Sequence, residues 1–276
     1  MLCTTLFREL KLRGKQKLWM LSSYPELFKE NPDISCIVED SWKTVKYLEK
    51  LQKPAILLSY GKWIDDLDRI EAPKSHIIAE IIAKSEIKGN ISLRPYWYEN
   101  TDKRLLKIDG AYVCVQSTKT CSSTPMLNKQ WKEEYLQNVI DKLSSRFRVV
   151  QLGLKNEPKL NNTVDLRGSS ISESANYLAN ATFFLGQVGF LMHLARAVDT
   201  RSVIIYGGRE KSWQSGYPCN ENIESNPNCS PCWQNNRCDH ERKCLEQISA
   251  DRVLEAIESL MDRIRGKLEV EQVSIQ

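Results

Sequence analysis

Four consecutive apolar residues, Val203-Ile204-Ile205-Tyr206, run straight into Gly207-Gly208-Arg209-Glu210. A short apolar run without polar alternation reads as a strand buried on both faces, the habit of parallel sheets. The glycines after it read as a tight turn at the strand's carboxyl end. Open α/β sheets place their ligands at that edge. A second glycine turn, Gly186-Gln187-Val188-Gly189, opens a helix just upstream. Downstream, five of the nine cysteines (Cys219, Cys229, Cys232, Cys238 and Cys244) fall within one short stretch, so the loop after the strand reads as clamped by a metal or by disulfides. Together these features suggest a phosphate-bearing ligand over a sheet edge, beside a stapled loop.

The rest of the chain repeats the strand–helix logic. In the first half the patterns predict a helix over 2–12, a strand over Lys17–Ser22, a short helix over Pro25–Lys29 and a strand over Ile34–Val38. A helix over Trp42–Leu51, a strand over Ala55–Tyr60, a helix over His76–Ser85 and a strand over Ile91–Tyr96 follow. In the second half they predict strands at Ala111–Val115, Arg148–Leu152, Thr163–Leu166, Thr182–Leu185 and Val203–Tyr206. Helices are predicted at Lys129–Ser145, Glu173–Asn180 and Phe190–Ala197. A last helix, capped by Ser249, carries Val253, Leu254, Ile257, Leu260, Met261 and Ile264 as its buried stripe, and 267–276 reads as a loose tail. Alternating strands and helices imply parallel sheets. The polar stretch 99–109 is the natural boundary, giving two α/β domains, 1–104 and 105–276, across a cleft, with the Cys-rich loop 219–244 in the second.

A chain of 276 residues with 41% hydrophobic and 27% charged residues has the composition of a soluble globular protein. Its net charge of +4 favours anionic ligands or membrane surfaces but falls short of a nucleic-acid-binding signature. No apolar run reaches the roughly 18 residues of a membrane span. Arg8, Glu9, Lys11 and Arg13 break any signal-peptide core. Cytoplasmic residence follows as the expectation, in which Cys3, Cys36, Cys114 and Cys121 are ordinary reduced thiols. A Rossmann oxidoreductase is disfavoured, because no G-x-G-x-x-G follows a strand.

Four segments in order resemble glycosyltransferase family 9, the heptosyltransferases. Lys129-Gln130-Trp131 resembles the family's Lys-x-Trp, and Asp165-Leu166-Arg167-Gly168 its Asp-Leu-x-Gly. GQVGFLMHLA, Gly186 to Ala195, is similar to its GNDSGLMHLA-type loop and helix, with Val188-Gly189-Phe190 where the family has Asp-Ser-Gly. Cys229-Ser-Pro-Cys232-Trp, Cys238 and Cys244 resemble its cysteine-rich close. The match is best over 108–258. The resemblance implies a GT-B fold, two Rossmann-like domains facing a cleft. It also implies an inverting transfer of a sugar from a nucleotide diphosphate-sugar, with ADP-heptose the best-known donor. The acceptor would be a lipopolysaccharide-type glycan, another surface glycoconjugate or a protein, reached in the cytoplasm or at the inner membrane. Leu2 to Leu10 resembles the segment just after the family's Gly-Asp, whose Asp is the proposed base. The first domain is therefore expected to be N-terminally shortened, and its catalytic base unknown. The alternative is a catalytically impaired shortened paralogue, acting as a nucleotide-sugar-binding partner or as a structural partner in a homo-oligomer.

Departure of a diphosphate needs positive charge, and attack by a hydroxyl needs a base. Gln187, Val188 and Gly189 at a helix N-terminus are candidates to supply backbone N–H groups for phosphate, or form a plain strand-to-helix turn. Lys129 reads as a phosphate cation or as a solvated lysine at a helix start. Thr118 and Lys119 read as ligand contacts or loop filler, Trp131 as core, and His193 as a diphosphate contact or a hydrogen-bonded core histidine. Gly208 and Arg209 are placed to meet phosphate, and Glu210 a sugar hydroxyl, unless the segment is an ordinary turn. Asp65, Asp66 and Asp68 form a solvated acidic face or replace the missing base. Cys229, Cys232, Cys238 and Cys244 have spacings that suit a structural tetrahedral metal, with Cys219 a fifth candidate and a disulfide pair the other reading; the resemblance to autotransporter heptosyltransferases implies iron, and zinc is chemically as reasonable. Four thiolates would close the shell, so no catalytic metal is expected.

Overall fold

The computed structural model describes residues 1–15, 17–50, 56–65, 68–85, 87–98, 107–117 and 126–273. In chain order these form α1 (Cys3–Leu12), β1 (Trp19–Ser22), a 3₁₀ turn (Pro25–Leu27), β2 (Cys36–Glu39), α2 (Trp42–Lys50), β3 (Trp63–Asp65), β4 (Arg69–Ile70) and α3 (Ile77–Ala83). Then come β5 (Tyr112–Gln116), a second 3₁₀ turn (Leu127–Lys129), α4 (Glu133–Leu143), β6 (Arg148–Leu152), β7 (Val164–Asp165), α5 (Ile171–Ala179), β8 (Phe184–Gln187) and α6 (Phe190–Ala197). The chain closes with β9 (Ser202–Gly207), α7 (Ser212–Ser215), β10 (Glu221–Glu224), α8 (Lys243–Glu246) and α9 (Ala250–Val273).

The centre is a six-stranded sheet in the order β10-β9-β8-β5-β6-β7, parallel throughout. Its four inner strands, β9, β8, β5 and β6, bury both faces, which is why they read as apolar runs. Val113, Val115, Leu185, Val203 and Ile205 pack with α4 and α9, while Cys114, Phe184 and Ile204 pack with α5 and α6. Each such aliphatic side chain contributes about 1.5–3 kcal/mol relative to exposure. The winding direction reverses between β5 and β8, which opens a crevice at their carboxyl ends, where doubly wound sheets take ligands.

The N-terminal region holds a parallel pair, β1–β2, and an antiparallel pair, β3–β4. Leu6 on α1 and Ile78, Ile81 and Ile82 on α3 join the apolar cluster beneath α5 and α6. No helix of the described residues is long and apolar enough to cross a membrane.

Several elements differ from the sequence expectation. Residues 91–96 form no strand. Thr5 Oγ1 donates to the Arg94 carbonyl (2.7 Å) and the Tyr96 N–H donates to Thr4 Oγ1 (2.8 Å), so α1 hydroxyls take bonds that a neighbouring strand would have made. Residues 56–60 carry no ladder, and Ala55 lies outside the described residues. The parallel sheet expected of the first half is thus two strands among the described residues. Pro25–Lys29 contracts to the 3₁₀ turn. The helix expected from Lys129 begins only at Glu133, because Trp131 is buried and its Nε1–H donates to the Ile248 carbonyl (2.8 Å), turning the chain before α4 starts. α9 continues through Gly266 to Val273, where a loose tail was expected. The β3–β4 pair and β10 had no expectation.

Candidate functional site

Three turns leave the central carboxyl edge of the sheet: Gln187–Gly189 after β8, Gly208–Lys211 after β9, and Gly153–Glu157 after β6. The 3₁₀ turn with Lys129 lies against β9. Lys129 and Arg209 converge on one carboxylate. Glu210 accepts from Lys129 Nζ (2.7 Å), Arg209 Nη1 (2.7 Å) and Ser215 Oγ (2.7 Å). Burial alone would raise the pKa of Glu210, but the two cations outweigh it and hold the carboxyl down at about 2. Two cations and one carboxylate leave one net positive charge, a fit to an anion. Glu210 is therefore taken up as a counter-ion rather than open to a sugar hydroxyl. Arg209 is 2% exposed, donates through Nη2 to Asn235 Oδ1 (2.8 Å), and lies over the Trp233 ring (4.8 Å).

Gly189 caps α6 with an extended backbone, so what glycine contributes there is the missing side chain. The Val188 side chain belongs to the apolar core, which leaves its backbone for a ligand; Gln187 is also buried. His193, one turn into α6, pairs through Nδ1 with the Tyr217 hydroxyl (2.7 Å). Burial pushes its pKa down to about 3, with Glu210 opposing, so the ring is neutral and serves as a hydrogen-bond partner rather than a cation. Thr118 and Lys119 lie outside the described residues.

Glu157 was not singled out by the sequence. It is 2% exposed and rests against Gly153, where a Cβ would meet its Oε2 at 2.1 Å. Gly153 has φ +128, a backbone conformation that glycine adopts freely. Gln116 Nε2 donates to Oε1 (3.1 Å), and Oε2 has no partner among the described residues. Burial lifts its pKa to about 7 against that hydrogen bond and the nearby Arg167. A carboxyl of this kind can accept a ligand hydroxyl. Nothing local in the sequence marks it.

Cys229, Cys232, Cys238 and Cys244 line one cavity of about 510 Å³ together with Asn128 and Arg209. None is in a disulfide; the described cysteines, Cys219 included, are free thiols. Among the described residues no three His, Cys, Asp or Glu side chains stand close enough to hold an ion in this arrangement. Four soft thiols on one cavity nevertheless have the chemistry of an iron or zinc site. Gly208 sits against this cluster, where a Cβ would meet Cys244 Cβ at 2.7 Å, so the cysteines explain its glycine without a ligand.

The loop docks on the N-terminal region. Asp68 accepts from the backbone N–H groups of Asn236 (2.9 Å) and Arg237 (3.1 Å), its own carbonyl accepts from Asn235 N–H (2.8 Å), and the Ile70 N–H donates to the Trp233 carbonyl (3.2 Å). Asp68 is thereby neither a solvated surface acid nor an idle base. Asp66 lies outside the described residues. His76 bonds through Nε2 to the Gly216 carbonyl (3.0 Å), and Gln214 Nε2 donates to the Pro73 carbonyl (3.0 Å).

Solved structures with this fold are heptosyltransferases and a family 9 glycosyltransferase. The iron-containing dodecameric heptosyltransferase TibC, in complex with ADP-D-β-D-heptose, matches with a TM-score of 0.68 at 18% identity, over 95% of this chain and 73% of its own. TibC comes from enterotoxigenic E. coli H10407. The E. coli ADP-heptose LPS heptosyltransferase II matches with a TM-score of 0.68 at 12% identity, over 96% of this chain and 95% of its own. The family 9 glycosyltransferase of Veillonella parvula DSM 2008 matches with a TM-score of 0.66 at 12% identity, over 95% and 93%. At such identities the likeness is one of fold, and it bears out the α/β, GT-B expectation. No family profile matches the chain, and no curated protein matches it in sequence.

Proposed function

We propose that the chain is a glycosyltransferase of the heptosyltransferase type. It would hold a nucleotide diphosphate-sugar at the carboxyl edge of the six-stranded sheet and pass the sugar to a hydroxyl by single, inverting displacement. The observation that carries this reading is the buried Lys129–Glu210–Arg209 cluster at the end of β9, at the same sheet edge as the N-terminus of α6. A departing diphosphate gathers negative charge, and fixed cations with helix N–H groups stabilise it without a metal. Lys129 and Arg209 supply the charge. Gln187, Val188 and Gly189 supply backbone donors, and His193 a neutral hydrogen-bond partner; Thr118 and the Gly208 backbone complete the set. Residues 105–276 form the donor domain and 1–104 the acceptor domain. ADP-heptose is the first donor to try, in keeping with the ADP-D-β-D-heptose held by TibC. The acceptor is a lipopolysaccharide-type glycan or a protein, reached in the cytoplasm at the membrane surface.

Cys229, Cys232, Cys238 and Cys244 would hold a structural iron or zinc once their side chains draw together, since in the arrangement described they do not stand close enough. Four thiolates would close the shell of such an ion, which would then cross-link the loop and take no part in the transfer. Their common cavity and the iron content of TibC support this, and the dodecamer of TibC supports a homo-oligomer.

Calorimetric titration with ADP and ADP-heptose tests the reading. Removing one charge-assisted contact through Lys129→Ala is expected to weaken ADP by about 10- to 100-fold. A wild-type chain that binds no ADP would sink the proposal. A second reading, a nucleotide-sugar-binding partner without transfer, is favoured by one observation: Asp68, a carboxylate weighed as the base, is taken up by loop N–H groups. Donor binding without transfer to any acceptor would select it.

A further inference from the structure

The lysine proposed to meet the diphosphate is held from two sides by one segment of the cysteine loop. Its backbone side is Asn128, the preceding residue on the same 3₁₀ turn, which is 3% exposed. The Asn128 N–H donates to the Asn235 carbonyl (2.9 Å), and Nδ2 donates to the carbonyls of Gln234 (3.1 Å) and Arg237 (2.7 Å). Oδ1 accepts from Arg242 Nε (3.0 Å). These four bonds all reach residues 234–242.

The side-chain end leads back to the same segment. Lys129 Nζ rests on Glu210, which is bound by Arg209. Arg209 is in turn fixed by Asn235 Oδ1 (2.8 Å), by the Trp233 ring beneath it, and by the Trp233 N–H donating to its carbonyl (3.0 Å). Asn235 and Trp233 are buried at 0% and 1% exposure. Arg209 Nε and Asn235 Nδ2 are buried donors without a partner among the described residues, so this side of the cluster has donor capacity for an anion. Cys238 lies within the segment, and Cys229, Cys232 and Cys244 flank it.

We propose that Asn128, as a positioning residue, and Arg209, beside the charge it supplies, tie the cysteine loop to Lys129, so that ordering of residues 233–242 and binding of an anionic diphosphate strengthen one another. This rests on the donor reading given above. The physical ground is linkage: if an ordered loop holds Lys129 in its binding position, the bound anion must favour the ordered loop by the same factor. A loop that merely stabilises the fold would show no such reciprocity.

The test uses the full chain with ADP as the probe, reading hydrogen–deuterium exchange of the backbone amides of 233–242 by mass spectrometry beside calorimetric ADP affinity. Saturating ADP is expected to slow amide exchange in 233–242 by about 5-fold or more, the lower end of ordinary coupling. Asn128→Ala is expected to weaken ADP by a comparable factor and, at ADP concentrations that still saturate it, to abolish the protection. Arg242→Lys keeps Asn128 and removes its Nε–H donor, so it should show a smaller loss of the same sign; it decides the matter if thermal unfolding shows that Asn128→Ala does not fold. ADP bound without amide protection in 233–242, or both variants binding and protecting like wild type, overturns the coupling alone. A wild-type chain that binds no ADP overturns the donor reading, and the coupling with it.

Discussion

The six-stranded sheet and the β1–β2 pair are built from the same kind of strand, parallel and rich in apolar residues, and they differ in what covers them. Val203 and Ile204 in the large sheet are wholly buried, whereas Trp19 at the start of β1 is 59% exposed. Tyr24, Tyr47, Trp63 and Ile64 in the N-terminal region are also exposed. Parallel pairing by itself stabilises little; cover on both faces does. The N-terminal region gains its order from helix packing and from contacts with the other half, at Asp68, His76 and Pro73. The candidate donor site rests on the well-covered sheet, and the loop and α7 join the two regions.

The largest contrast should come from truncating one side chain in each sheet. Ile204→Ala is expected to cost about 2–5 kcal/mol in urea unfolding. Trp19→Ala should stay within about 0.5 kcal/mol, as an exposed surface change. Similar losses at both positions would break the comparison. Asp68→Ala removes the acceptor of two loop N–H groups and is expected to cost about 1.5–3 kcal/mol, the value of hydrogen bonds to a charged group. Its signature is local: hydrogen exchange should rise around 68–85 and 233–237 while β8 and β9 keep their protection. Loss of protection in β8 and β9 as well would show that the two regions unfold as one.

A smaller effect separates the regions by pH. Glu157 carries a pKa raised from 4.5 to about 7 by burial, so the folded chain holds a proton there that the unfolded chain releases. Its contribution is favourable at acid pH and declines as pH rises from 4.5 to about 7. Glu157→Gln should remove that decline, seen as a flatter Tm against pH on the alkaline side of 4.5. An unchanged slope would mean that the carboxyl is already ionised at low pH.

What the sequence disclosed depended on whether a residue's partners were local. β9 and the α9 stripe were legible because one apolar run and one helical period each specify an element on their own. The Gln187–Gly189 turn and Lys129 were legible as site candidates through their order along the chain. The strand expected at 91–96 failed because apolar spacing looks the same whether backbone bonds go to a strand or to the hydroxyls of Thr4 and Thr5. Asn128 carried no expectation and Asp68 only that of a solvated acid or a base, since their partners at 234–242 and 235–237 are distant in sequence. Glu210 was visible as a polar residue at a strand end, but its role as counter-ion emerged only once Lys129 was placed beside it.

The smallest and most diagnostic effect concerns His76, which sits between the regions. Its Nδ1 accepts from the Ile78 N–H (3.2 Å) and caps α3, which puts the ring proton on Nε2, donated to the Gly216 carbonyl (3.0 Å). A proton on Nδ1 would turn the cap's acceptor into a donor, and burial accordingly pushes the pKa below 6.5. Below 6.5 the unfolded chain takes up a proton that the folded chain resists, so the neutral ring's contribution is complete above 6.5 and declines as pH falls through it. That slope is opposite in sign to the one from Glu157, and His193, buried and neutral, adds to it. His76→Asn keeps a good helix cap and titrates nothing, while giving up the bond to the Gly216 carbonyl. Relative to wild type, Tm should then fall less on acidification below 6.5, whereas Glu157→Gln should make it fall more. If both variants shift the profile in the same direction, the neutral histidine is not what joins α3 to the Gly216 turn, and the contact between the regions rests on its other bonds, those of Asp68, Ile70 and Gln214 among them.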